Sequence, residues 1–178
     1  MKRLIFIFLI LISSCNGNKK TDKIVSGEKT QSEFKLAKSD FVILTYQTNW
    51  YWIFKNAKPT ELTQSELIEI ENILKTLVKE NNDAQKIGLI EHNKNYPDNQ
   101  KTASAYKLKL DGFKRQYVPI INDNGQKEVW INFFCDDTGA EEYWKTEIMI
   151  VDDGGNCYYN LKVNLDTKEY YELRINGY

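Results

Sequence analysis

Downstream of residue 62 the chain shows two hydrophobic rhythms. Leu67, Ile70, Ile73, Leu74, Leu77 and Val78 recur at the spacing of one helix face, while Glu69, Glu71, Lys75 and Lys79 point away from it. Thr63-Gln64-Ser65-Glu66 precedes them as a capping box, in which the Thr hydroxyl and the Glu carboxylate each satisfy an amide of the first turn. Leu62 and Leu67 stand where a hydrophobic staple places its two residues. These signals predict a helix that starts at Thr63, ends at Asn81-Asn82 and buries its apolar stripe. The polar residues 83–102 then read as a loop.

After that loop the period falls to two. Tyr106, Leu108 and Leu110 alternate with Lys107 and Lys109, and Asp111-Gly112 is a hairpin signal leading into residues 113–121. Asn122-Asp123-Asn124-Gly125 turns the chain into residues 128–135, and 143–151 alternates again. Asp152-Asp153-Gly154-Gly155 and Asp166-Thr167 are further turns, leading into 157–165 and 170–175. Six strands are therefore predicted after the helix, with Pro119 marking an edge or bulge because it has no N–H for a ladder. Residues 41–54 are β-prone and precede the helix. The predicted class is α+β: one helix packed on a largely antiparallel, curved sheet within a single domain, residues 34–178. That layout resembles cystatin-like and nuclear-transport-factor-like folds, a likeness of architecture that carries no function.

The first residues belong to a different class of signal. Lys2 and Arg3 open the chain, and nine apolar residues follow from Leu4 to Ile12. Such a run spans about 14 Å as a helix, roughly half of a bilayer's hydrocarbon thickness, so it suits a signal-peptide core and not an anchor helix. Ser13-Ser14-Cys15 then resembles the lipobox of bacterial lipoproteins. The resemblance implies cleavage after residue 14 and acylation of Cys15, which attaches the chain to a membrane. Residues 16–33 read as a tether of Lys, Thr, Ser, Asn, Gly and Gln, reaching on the order of 23 Å as a coil. No acidic run follows the Cys, and this favours the periplasmic face of an outer membrane.

Composition narrows the function. The chain has 178 residues, with 24 Lys+Arg against 25 Asp+Glu and a single His. Without Lys2 and Arg3 the cations fall to 22, a formal net of −3, which disfavours binding to nucleic acid. His92 lies in a polar stretch, and no nucleophile elbow, phosphate loop, His-Glu-x-x-His or Cys-x-x-Cys motif is present, so no catalytic set is predicted. No metal site or cofactor is predicted either. The doublets Asp136-Asp137 and Glu141-Glu142 lack EF-hand spacing, and Asp152-Asp153 reads as turn chemistry.

Once Cys15 is acylated, Cys135 and Cys157 remain as an even pair. In a strict meander the strand at 143–151 would separate them by roughly 20 Å, beyond a disulfide's reach. Either the sheet is not a simple meander and they bond, or both are free and buried. Trp50-Tyr51-Trp52 is the candidate binding patch, because a strand there places aromatics on both faces. Lys127-Glu128-Val129-Trp130-Ile131-Asn132 and Asp153-Gly154-Gly155-Asn156-Cys157-Tyr158 resemble segments of small bacterial lipoproteins without an established activity. This resemblance supports an envelope location and carries no chemistry. The expectation is a membrane-tethered, non-enzymatic protein that binds or inhibits a protein partner. The alternative is a ligand-binding or enzymatic roll with a small-molecule or glycan pocket between helix and sheet.

Overall fold

A computed structural model of the chain describes residues 35–135 and 143–177, all within one compact unit. Its elements are β1 (Phe41–Ile43), a 3-10 turn at Thr48–Trp50, β2 (Lys58–Pro59), α1 (Gln64–Asn95), β3 (Lys114–Ile121), β4 (Lys127–Phe134), β5 (Tyr158–Asn164) and β6 (Glu169–Ile175). The sheet order is β1-β3-β4-β5-β6, and β2 also pairs with β3. Only β1 runs parallel to its neighbour; every other pair is antiparallel. The class is α+β, as predicted, but the strands are distributed differently: two precede the helix and four follow it.

The capping box forms. The Glu66 amide donates to Thr63 Oγ1 at 3.3 Å, and the Thr63 amide donates to Glu66 Oε2 at 2.7 Å. The helix does not stop at Asn81-Asn82, however, but runs on to Asn95. Asn82 is withdrawn from competition with its own backbone because its amide reaches the main chain of Leu108, donating to the carbonyl at 3.0 Å and accepting the amide at 2.8 Å. Lys79 and Asp83 pair at 2.9 Å across the same point, one turn apart. The helix ends where Pro97 forces Tyr96 out of helical geometry, at φ −128° and ψ 67°.

Two predicted strands are absent. Residues 106–110 follow a 3-10 turn at Ala103–Ala105 and join no ladder. Their backbone is satisfied by side chains instead. Besides Asn82 on Leu108, Asn156 donates to the carbonyls of Ser104 and Lys107, Tyr159 to that of Lys109 and Arg115 to that of Leu110. Residues 143–151 likewise form a 3-10 turn at Tyr143–Lys145 followed by irregular chain. Gln116 and Asn132 bond their main chain.

With no strand between them, β4 and β5 are neighbours, and Cys135 lies opposite Cys157 with Cα atoms 5.1 Å apart, joined by a disulfide. The Cys135 amide donates to the Cys157 carbonyl at 3.1 Å. The bond closes a loop over a sequence separation of 22, so reduction is expected to lower stability by about 3 kcal/mol. Thermal melting with and without reductant measures this, and an unshifted midpoint would show that other contacts hold the loop just as firmly.

The sheet is covered on both sides. On one, Leu67, Ile70, Leu74 and Leu77 of α1 pack on Tyr117, Val129, Ile131, Phe133, Tyr159, Leu161 and Val163. Each such side chain, fully buried, contributes about 1.5–3 kcal/mol. On the other, Leu44, Tyr46, Trp50, Ile53, Phe54 and Ile148 pack on Val118, Ile120 and Trp130. Pro119 falls between the segments of β3 that pair with β1 and with β2. The Thr60 amide donates to its carbonyl there, at 3.4 Å. The outer edge, β6, carries a register shift opposite Asn160 and Lys162. Glu172 sits in that shift at φ 51° and pairs with Lys162 at 3.0 Å, a bulge and a charge that blunt the edge.

Candidate binding surface

The segment after β1 decides which aromatics meet solvent. Trp50's amide donates to the Gln47 carbonyl and Ile53's to the Trp50 carbonyl, each at 2.9 Å, so the chain turns tightly and does not extend. Strand alternation therefore fails. Trp50, Ile53 and Phe54 all turn inward, each no more than 6% exposed, whereas Tyr51 is 67% and Trp52 49% exposed. Trp50 is thus a core residue and not part of the surface patch. It meets Tyr46 edge to face at 6.5 Å, and Tyr46 donates its hydroxyl to the Phe54 carbonyl at 2.8 Å.

Trp52 is held in place from beneath. Its ring meets that of Trp130 edge to face, 5.8 Å between centroids, and Trp130 Nε1 donates to Asn160 Oδ1 at 3.3 Å. Trp52, Trp130, Ile150, Tyr158, Asn160 and Asn176 rim a recess of about 70 Å³, far smaller than the roughly 300 Å³ at which ligand pockets begin. Ile150 is 66% exposed beside it. The result is a shallow apolar surface of Trp52 and Ile150 over a fixed indole, with Tyr51 exposed at the preceding position of the chain. Ile150 carried no signal in the sequence, because residues 143–151 alternate like a strand.

The other predicted positions fall as follows. Cys15, Asp136-Asp137 and Glu141-Glu142 lie outside the described residues. Asp152-Asp153 lie in irregular chain before a 3-10 turn at Gly155–Cys157; Asn176 donates to the carbonyls of Val151 and, at 3.1 Å, Asp153. Gly154 adopts φ 87° there, and a Cβ at this position would fall 2.6 Å from the Tyr158 ring. Among the described residues no group of three or more His, Cys, Asp or Glu could hold a metal ion. His92 Nε2 lies 3.1 Å from the Asn99 carbonyl, and its ring lies against Tyr96.

One buried polar cluster lies under α1. Arg115, 2% exposed, pairs with Glu71 and donates to the Leu110 carbonyl at 2.9 Å and to the Tyr117 hydroxyl at 3.3 Å. Its guanidinium also lies over the Phe133 ring at 4.9 Å. Burial pushes the Tyr117 hydroxyl up to about 12, and burial raises that of Tyr159 as well. Both stay protonated and neither supplies a base, so the cluster ties helix to sheet. The helix–sheet interface is filled by the side chains named above. An open groove of about 620 Å³ lies beside it, between Ile73 and Thr76 of α1 and Tyr170 of β6. Lys168–Glu69 at 2.8 Å and Tyr170–Glu80 at 2.5 Å join its two sides. No family model, curated protein or solved structure matches the chain.

Proposed function

We propose that the chain is a lipid-anchored protein of the bacterial envelope, held at Cys15 on the periplasmic face of an outer membrane, that binds a protein partner through Tyr51 and Trp52 without catalysing a reaction. The observation that carries the binding role is the outward placement of these two large aromatics, Trp52 braced on Trp130, while every neighbouring aromatic of the segment turns inward. Aromatic anchors that lose little conformational freedom are the residues on which interface energy concentrates. The filled helix–sheet interface favours this reading over an enclosed small-molecule pocket.

Capture of the acylated protein from detergent-solubilised native membranes tests it. A stoichiometric partner should be recovered with the parent chain and lost with Trp52→Ala or Tyr51→Ala, while Tyr51→Ala stays within about 0.5 kcal/mol of the parent in stability and Trp52→Ala loses about 0.5–1.5 kcal/mol with its contact on Trp130, both remaining folded. Trp50→Ala should instead destabilise the domain by about 3–5 kcal/mol by emptying a core site. A partner retained by folded Tyr51→Ala and Trp52→Ala variants would remove the patch from the binding surface. Mass analysis of the purified chain reads acylation of Cys15 separately.

A further inference from the structure

The second half of α1 is the largest feature that the proposed binding role leaves unused. No residue of the helix beyond Leu77 is buried, and residues 83–95 extend about 20 Å at 1.5 Å per residue. This half carries Ile87 at 70% and Ile90 at 61% exposure, and Tyr96 follows at 58%. Ile87 and Ile90 are one turn apart and share a face with Lys94. Ile90 also borders an apolar trough of about 430 Å³ with Leu89, Ala103 and Tyr106. Lys86, Lys94 and Lys101 flank these residues, and Glu91 and Asp98 offset part of that charge.

What covers this surface follows from where the chain enters the domain. Glu66 at the start of the helix pairs with Lys127 at the start of β4, whereas Glu71 pairs with Arg115 near the start of β3 and Asn82 bonds Leu108. The helix therefore crosses the sheet obliquely towards β6, where Tyr170 donates to Glu80. Ala103, Tyr106 and Lys107 beside its second half belong to a segment that Asn156 ties to the end of the sheet where β3 and β5 begin, so the exposed half lies at that end. β1 is parallel to β3, with Phe41 opposite Arg115, and the Arg115 amide donates to the Asp40 carbonyl at 2.9 Å. Residues 35–40 thus lead into the domain at that same end. The described chain thus begins at the end of the sheet at which the exposed half of the helix lies.

We infer that residues 87–96 of α1 and its C-cap form a membrane-docking tip, which lays Ile87, Ile90 and Tyr96 into the headgroup boundary of the bilayer carrying the lipid anchor. Apolar side chains flanked by lysines are the chemistry of an interfacial helix, and the tether supplies the local concentration that so small an apolar surface needs. This rests on the reading of Cys15 as the anchor. With the lysines partly offset, attachment depends more on the isoleucines than on anionic lipid.

The test places a nitroxide at Ile90→Cys in the acylated full chain, reconstituted into protein-free vesicles of phosphatidylethanolamine and phosphatidylglycerol in a three-to-one mixture. The native Cys135–Cys157 pair is bonded and takes no label. Asn124→Cys, in the exposed turn at the opposite end of the sheet, is the control. The label at 90 is expected to lose several-fold of its collisions with a water-soluble nickel chelate while gaining collisions with oxygen, and the label at 124 to lose none. Equal exposure at both positions overturns the proposal, as does shielding of position 90 only after membrane proteins are added. If mass analysis finds Cys15 unacylated, the anchor reading fails by itself. The tip is then judged by the vesicle-bound fraction of the chain with and without Ile87→Asp and Ile90→Asp: a loss supports docking and no change overturns it.

Discussion

Replacing Glu71 with leucine is expected to destabilise the domain by about 3–5 kcal/mol, the usual result of breaking a buried ion pair from one side. Arg115→Met should cost less, and the difference arises from exposure. The Glu71 side chain keeps 18% of its surface, so a carboxylate left without its partner can recover water. The Arg115 side chain keeps 2%, so a guanidinium left alone stays in an apolar site. There, among the described residues, it would keep the Leu110 carbonyl, the Tyr117 hydroxyl and the Phe133 ring. Chemical denaturation of the two single variants and the double variant closes a cycle. The double variant should be more stable than Glu71→Leu alone, because it removes the stranded charge together with its partner. Equal losses in the two single variants would show that the guanidinium gains water when the helix relaxes.

Gln116→Leu is expected to cost about 3 kcal/mol, since each buried polar group left unpaired costs about 1–3 kcal/mol and the freed loop recovers part of that from water. Gln116 is fully buried and uses its whole hydrogen-bonding capacity. Its amide donates to the carbonyls of Trp144 and Glu147, both at 2.6 Å. Its oxygen accepts from the Met149 amide at 2.9 Å and from Asn132 at 3.1 Å. One side chain thus organises much of the irregular segment over the second face of the sheet. Hydrogen exchange at the Met149 amide should accelerate in the variant while amides within β4 and β5 stay protected. Gln116→Glu turns the donors into a carboxylate facing two carbonyls, which favours its neutral form. Its folded-state pKa is then raised, the native state binds the extra proton, and the variant should lose stability as pH rises from acid to neutral. Uniform exchange across the sheet would place the cost in global unfolding and not in this segment.

These two side chains also show which part of the fold could be read along the chain. The capping box at Thr63 and Glu66 was visible because both partners lie within one turn. So were β3 to β6, where alternation is broken by Asn-Gly and Asp-Thr turns. Residues 106–110 and 143–151 alternate just as well, yet their backbone partners are the side chains of Asn82, Asn156, Gln116 and Asn132, which no local pattern announces. Asn82 misleads twice: its type suggests a helix end, and its tertiary bonds both spare the helix and occupy Leu108. The Cys135–Cys157 bond depended on whether 143–151 entered the sheet, so local spacing could not decide it. For the patch, a period of two placed Trp50 and Trp52 together, and the turn after Gln47 sends one inward and leaves the other out.

The parallel pairing of β1 sets an order of assembly. β4, β5 and β6 each meet the preceding strand across a short connection or a disulfide-closed loop, so those contacts can form soon after the strands are synthesised. β1 is made first but finds its partner only at Arg115–Tyr117, after all of α1. A parallel partner demands such a crossover, and distant contacts form slowly. As a chain emerges from its amino end, Phe41 and Val42 therefore stay unpaired while the helix and β3 are still being made. A chain arrested before Arg115 would offer them, with the apolar stripe of α1, to whatever binds unfolded protein.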